Sequence, residues 1–220
     1  MNHRCENEFI SIKLKNIVKT GKLATYYGLT EASRSTFMVF NDITGKEASV
    51  GKPAKNVKIK IVNEMDDPKK NGEIFIKGEN VIEKYWNNEE MDHNIQNGWI
   101  KTSDMGYFDE DGYLYLTGRV DDMINVGGEK VFPNQIESVV KRLDGIDEAV
   151  VIGVSHDTFG EVAKLFVKKS QDSKIKESDI MEYCIKNLER YKVPVSIRFI
   201  EDFPQTEYGK IKRYTLKDYK

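Results

Sequence analysis

Apolar residues fall on the odd positions from Val57 to Ile61, with Lys58 and Lys60 between them. This period of two predicts a half-buried strand. Glu73-Ile-Phe-Ile-Lys77 predicts a second strand, and Asn71-Gly72 just before it is a strong turn signal. Tyr107-Phe108 and Tyr113-Leu-Tyr-Leu116 flank the acidic stretch Asp109-Glu-Asp-Gly112, the pattern of a hairpin. Residues from about 40 to 118 therefore read as β-rich. Residues 8–20 mix apolar and basic positions without a clear period and stay open between helix and strand.

Beyond Asp121 the pattern changes to alternating helix and strand. Pro133 suits a first helical turn, where its missing N–H is not needed. Ile136, Val139, Val140 and Leu143 follow at i, i+3, i+4 and i+7, with Gly145 just past the end, which predicts a helix over 133–143. Strands are predicted at Glu148–Val154, near Val162–Val167 and at Val195–Ile200. A second helix is predicted around Asp179–Arg190, with Ile180, Met181, Cys184, Ile185 and Leu188 on one side. An irregular C-terminal tail closes the chain. The change of pattern places a boundary at 118–122, and no internal repeat or low-complexity tract is present. The expected fold class is α/β (mixed α+β): a β-rich part followed by a small C-terminal α+β part.

At 220 residues there is ample chain for one large domain or two smaller ones. Lys and Arg number 34 against 36 Asp and Glu, a net charge of −2, so no global field draws the chain to nucleic acid or membrane. The basic cluster Lys210, Lys212, Arg213, Lys217 and Lys220 reads as a solvated tail. Cys5 and Cys184 form neither a CxxC nor a zinc pattern, which fits a reduced, cytoplasmic protein. No apolar run approaches a membrane span, and the polar N-terminus does not resemble a signal peptide. Ser155, His156 and Asp157 are consecutive, so they cannot converge as a hydrolase triad. His3, His93 and His156 lack metal-ligand spacing, and the acidic turn at 109–112 lacks the alternating spacing of an EF-hand loop.

Four stretches carry candidate chemistry. In Tyr26-Tyr-Gly-Leu-Thr-Glu31 an aromatic ring, a glycine, a hydroxyl and a carboxylate could stack a base, admit a ligand to the backbone and hold phosphate and metal. The same residues also suit a buried strand end with a helix cap. In Gly98-Trp-Ile-Lys-Thr-Ser-Asp-Met-Gly106, Asp104 sits in a polar stretch read as a turn; its carboxylate could accept a ribose diol or cap the turn. The stretch from Gly118 to Glu137 combines Arg119, Asp121, Asp122, the pair Gly127-Gly128 and the helix-opening Pro133. Its glycines fit a plain hairpin turn as well as a ligand-facing bend. Finally, Phe203-Pro-Gln-Thr-Glu-Tyr-Gly-Lys-Ile-Lys-Arg213 places Lys210 after a glycine, where it could reach a phosphate as a point charge.

In this order, YGLTE, TSDMG, GRVDDMINVGGEKVFPNQIE and PQTEYGKIKR resemble the adenylate-forming superfamily, which includes the acyl-CoA and aryl-CoA synthetases. Val50-Gly-Lys-Pro53, Gly72–Gly78 ahead of Tyr85-Trp86, and Arg190-Tyr-Lys-Val-Pro194 agree with it. The resemblance covers residues 20–216. It implies the distal fragment of a large AMP-binding domain over 1–120 and a C-terminal lid domain over 121–220. Tyr27 would stack on adenine, with Gly28 in the same motif. Thr30 would meet the phosphates, Glu31 would help hold Mg²⁺, and Asp104 would accept the ribose hydroxyls with Arg119 as a further nucleotide contact. Asp121 would be the hinge, Lys210 the catalytic lysine, and Gly127, Gly128 and Lys130 the thiol-side loop.

The implied reaction activates a carboxylic acid with ATP and passes the acyl group to CoA or to a carrier-protein pantetheine. Nucleic acid is not an implied partner. Several positions differ from the family pattern: Ser103 stands where glycine is usual, Asn125 where many members carry lysine, and Tyr208 where a small residue is common. The Gly-rich loop that grips the β- and γ-phosphates is not found in the sequence. The alternative expectation is therefore a non-catalytic remnant or interaction module.

Overall fold

The computed structural model describes residues 18, 21–39, 44–87, 89–207 and 209–219. The segment 8–20, left open above, lies outside the described residues apart from Val18, as do Cys5 and Tyr208. The chain divides into two compact units, Met1–Val120 and Asp121–Lys220.

In the first unit β1 (Ala24–Tyr27), β2 (Thr36–Val39) and β3 (Lys52–Pro53) form a three-stranded antiparallel sheet in sequence order. A five-stranded antiparallel sheet follows: β4 (Val57–Val62), β5 (Gly72–Gly78), β6 (Ile95–Gln96), β7 (Trp99–Phe108) and β8 (Leu114–Arg119). Its order is β4-β5-β7-β6, with β8 on β7. The alternation predicted for 57–61 is realised, since Ile61 is buried and Lys58, Lys60 and Val62 are exposed. One core joins the two sheets: Tyr27, Ala32 and Val50 pack with Ile61, Ile74, Ile76, Ile100 and Leu114.

The predicted hairpin is present, with Tyr107 opposite Tyr115, Phe108 opposite Leu114, and Gly112 at φ 77° in the turn. The turn expected at Asn71-Gly72 is not. Gly72 already belongs to β5 and lies opposite Gly106, and a Cβ on it would come within 2.5 Å of the Val62 carbonyl oxygen. The glycine serves close strand approach rather than a turn. The chain reverses earlier, where Asp66 takes φ 50°.

In the second unit β9 (Ile124–Val126), β10 (Glu129–Val131), β11 (Ile146–His156), β12 (Gly160–Lys169) and β13 (Ser196–Phe199) form a sheet of order β10-β9-β12-β11, with β13 parallel to β12. Helices α1 (Pro133–Val140) and α2 (Glu177–Asn187) bury Ile136, Val140, Ile180 and Cys184 against Ala149, Val151, Leu165 and Val167. The alternate residues Val150, Ile152 and Phe166 face the other way and pack with Phe203 and Leu216. Both sheet faces are covered, so the strands read as continuous apolar runs.

Three expectations change here. Helix α1 ends at Val140 rather than 143, because Arg142 and Leu143 bond to carbonyls three residues back and wind into a tighter turn before Gly145 at φ 88°. Ile185 is 62 % exposed, since it lies five residues past Ile180, about 140° round the helix from the buried stripe. The tail is neither irregular throughout nor simply solvated. Phe203 and Leu216 are buried, Gln205 bridges Ile211, and Arg213–Asp218 forms a 3-10 helix. Among the described residues no helix is long and apolar enough to cross a membrane.

Candidate functional site

Tyr27, Asp104 and Arg119 come from β1, β7 and β8 and meet. The Tyr27 hydroxyl donates to Asp104 Oδ2 at 2.6 Å, and Arg119 Nη1 donates to Asp104 Oδ1 at 3.2 Å. The antiparallel register sets Asp104 directly opposite Arg119. Asp104 is thus in a strand rather than the turn read from its polar neighbours. That strand is irregular at this point. Ser103 takes φ 58°, the pairing of β7 with β5 and with β8 shifts register nearby, and Thr102 turns inward to donate to the Ile74 carbonyl at 2.8 Å. The Asp104 N–H donates back to Thr102 Oγ1 at 3.0 Å. A bulge of this kind re-aims a side chain, and here it delivers the carboxylate to two donors.

Tyr27 is buried, 8 % exposed, whereas Tyr26 beside it is 60 % exposed and lies 5.9 Å from the Arg34 guanidinium. Burial first, and then the Asp104 charge it faces, hold the Tyr27 phenol protonated well above its ordinary range. The pair therefore acts as a donor–acceptor anchor across neutral pH. Gly28 is required by the chain's own fold, because a Cβ there would sit 2.5 Å from the Arg34 backbone nitrogen. Its neighbours Leu29 and Ala32 close a turn through reciprocal backbone bonds. Thr30 is exposed in that turn. Glu31 Oε1 accepts from the Tyr85 hydroxyl at 3.2 Å. Among the described residues no group of three or more His, Cys, Asp or Glu side chains could hold a metal. The donor set at Glu31 fits Mg²⁺, which takes one or two carboxylates and completes its shell with water and substrate phosphates.

The remaining sequence-predicted residues lie in the second unit. Asp121 is its first residue and is exposed. Gly127 and Gly128, at φ 60° and 97°, form the two-residue turn joining β9 to β10, the geometry that asks for positive φ at both positions. The turn is held from both sides: Gly127 N–H donates to the Phe159 carbonyl at 2.8 Å, and Gly128 N–H to Asn125 Oδ1 at 3.0 Å. Lys130 is exposed on β10. Lys210 is exposed at the end of a small closed loop. Its N–H donates to Thr206 Oγ1 at 3.1 Å, the Thr206 N–H donates to the Lys210 carbonyl at 2.8 Å, and Gly209 takes φ 77°.

Sequence reasoning missed Glu137 and misread Arg213. Glu137 is buried, yet it accepts from both terminal nitrogens of Arg213 and from the Val151 N–H at 2.7 Å. A signal was available: Pro133, Ile136, Glu137 and Val140 are the buried residues of α1, a carboxylate within an apolar stripe. Cys184 carries no nucleophilic chemistry, since burial pushes its thiol up to about 11.

The first unit thus carries a three-residue anchor at a strand bulge, and the second an exposed lysine in a closed loop. Residues 10–86 match the AMP-binding enzyme family and residues 135–210 the AMP-binding enzyme C-terminal domain, so the chain belongs to this family. It is 38 % identical over 192 residues to 2-succinylbenzoate–CoA ligase of Enterococcus faecalis, covering 86 % of this chain and 39 % of that protein. It is 37 % identical over 196 residues to long-chain-fatty-acid–CoA ligase of Salmonella typhimurium, covering 87 % and 35 %. Its fold is similar to o-succinylbenzoate CoA synthetase of Bacillus subtilis in complex with the acyl-adenylate intermediate, with a TM-score of 0.87 and 30 % identity over 96 % of this chain and 44 % of that one. The chain spans about two-fifths of the length of the curated relatives it matches.

Proposed function

We propose that this chain provides the distal nucleotide-binding part and the lid of an ATP-dependent carboxylate–thiol ligase. The observation that carries this reading is the convergence of Tyr27, Asp104 and Arg119 at their family motif positions. In this reading Asp104, oriented by its two donors, accepts the ribose hydroxyls. Tyr27 fixes Asp104 through its hydroxyl and borders the adenine with its ring. Gly28 and Thr30 shape the turn that faces the phosphates, and Glu31 helps hold Mg²⁺.

The first half-reaction joins a carboxylate oxygen to the α-phosphorus of ATP, and pyrophosphate leaves. Two anions approach and charge builds on non-bridging oxygens. The Lys210 ammonium stabilises that charge, and one such preorganised contact is typically worth about 3–4 kcal/mol. In the second half-reaction a thiol attacks the acyl carbonyl and AMP leaves with its bonding pair. Between the two half-reactions, rotation about Asp121 withdraws Lys210 and presents the turn at Gly127-Gly128, with Lys130 beside it, to the thiol. Such a step gates the order of events. CoA is the favoured thiol, carrier-protein pantetheine the alternative, and consumption of ATP fits a cytoplasmic setting.

The test is carboxylate-dependent pyrophosphate release from ATP by the 220-residue chain, with acyl chains of several lengths. Lys210→Ala should abolish release and leave ATP binding intact, whereas Asp104→Ala should weaken ATP binding itself. Equal loss of binding in both variants would overturn the role given to Lys210. The second reading is a non-catalytic interaction module. A folded chain that neither binds ATP nor releases pyrophosphate would set aside catalysis by these 220 residues alone.

A further inference from the structure

We propose that Arg213 and Glu137 are positioning residues for Lys210: together they brace the lysine-bearing loop against the core of the second unit and against the residue that follows Asp121. The proposal rests on the role assigned to Lys210 above. Arg213 is three residues beyond Lys210 and makes four contacts to three groups. Its Nη1 donates to Glu137 on α1 and to the Val151 carbonyl on β11 at 2.9 Å, its Nη2 donates to Glu137 Oε2 at 3.0 Å, and its Nε lies 3.9 Å from Asp122 Oδ2. Glu137 completes the brace by accepting the Val151 N–H at 2.7 Å. Closer to Lys210, the Lys212 N–H donates to the Pro204 carbonyl at 2.8 Å, tying the two arms of the loop together, and Thr206 and Lys210 bond to each other across it. Phe203 and Leu216, buried on the sheet, anchor the segment at both ends.

A lysine on a free tail would have to be ordered anew at each encounter with substrate, with the attendant entropy loss. Here the backbone that carries it is already fixed, and what remains free is the side chain. The forked guanidinium matters because a planar bidentate contact to a carboxylate fixes orientation as well as distance, which an ammonium cannot do. The contact to Asp122 also makes the first turn of the unit and the lysine loop parts of one connected body. A rotation beginning at Asp121 would then carry Lys210 with it.

The experiment is residue-resolved amide hydrogen exchange on the 220-residue chain, comparing wild type with Arg213→Ala, Arg213→Lys and Glu137→Gln. Exchange at Gly209 and Lys210 should accelerate about tenfold or more in Arg213→Ala. The amides of Leu188 and Ile200, bonded to the Cys184 and Val167 carbonyls, should keep their wild-type rates. Glu137→Gln and Arg213→Lys should show the same local acceleration to a smaller degree. If loop and core amides accelerate together in all three variants, the pair is merely structural and the proposal fails. Unchanged loop exchange overturns it equally. Because exchange needs no turnover, a chain that releases no pyrophosphate leaves this test intact. Where turnover is present, Arg213→Ala should lower the pyrophosphate release rate about tenfold at unchanged ATP affinity.

Discussion

Ser103 holds a backbone conformation, φ 58°, that a residue with a Cβ adopts at a cost, and it stands directly before Asp104. Such strain persists where surrounding structure over-determines it, and here the Val120 N–H donates to the Ser103 carbonyl at 2.8 Å. The family's usual glycine at this position has a physical reason in that φ. Ser103→Gly should therefore change stability by no more than about 1 kcal/mol, relief of strain offsetting added chain entropy. Ser103→Val should cost about 1–3 kcal/mol, because a β-branched side chain resists positive φ. Urea unfolding checks the ranking, and a harmless Ser103→Val would show that the bulge is not constrained. Asp104 and Arg119 could be picked out by motif, but their contact follows from the strand register. Glu137 was read past because a carboxylate counts as polar in any periodicity, whatever partner it later finds.

The β7–β8 hairpin shows how far an element can be read from its pattern. Tyr107-Phe108 and Tyr113-Leu-Tyr-Leu116 did predict it, and the acidic turn closes it through specific bonds. Asp109 accepts from the Asp111 and Tyr113 backbone N–H groups at 3.0 and 2.9 Å, from Lys46 Nζ at 2.6 Å and from the Tyr115 hydroxyl at 3.2 Å. Burial alone would raise the Asp109 carboxyl, but Lys46 and the other donors outweigh it and hold it below its ordinary value. A carboxyl depressed in the folded state stabilises above its unfolded pKa, and that stability is lost as pH falls through the folded value. The window thus opens below about pH 4, the unfolded aspartate value. Asp109→Asn should lower stability by about 1 kcal/mol at pH 7, after allowance for solvent screening. It should also flatten the acid side of the stability–pH curve, and denaturant unfolding between pH 7 and 3 would reveal either change. An unaltered acid slope would rule out Asp109 as its source. What the pattern misjudged in this sheet was Gly72, whose role depends on how near Val62 passes.

Each of the two units holds its own core. Every member of the two core clusters of the second unit, from Ile124 to Ile197 and from Val150 to Leu216, comes after Val120. Residues 121–220 alone should therefore fold and unfold in one cooperative transition. Leu216→Ala in that fragment should cost about 2–5 kcal/mol, because the tail is part of the core. A fragment without a cooperative transition, or one indifferent to Leu216→Ala, would contradict this. Periodicity was enough to place both helices and the longer strands, though not the short strands β1, β2, β3, β6, β9 and β10, since it reports which face of an element a residue occupies. The ordered motifs were enough to assign the family. Local pattern could not say where the C-terminal segment would lie, nor which distant groups would meet. Tyr27 finds Asp104 across 77 positions, and Glu137 finds Arg213 across 76. Such meetings depend on sheet order, register and the packing of both sheet faces, which form only when the whole unit condenses around its core.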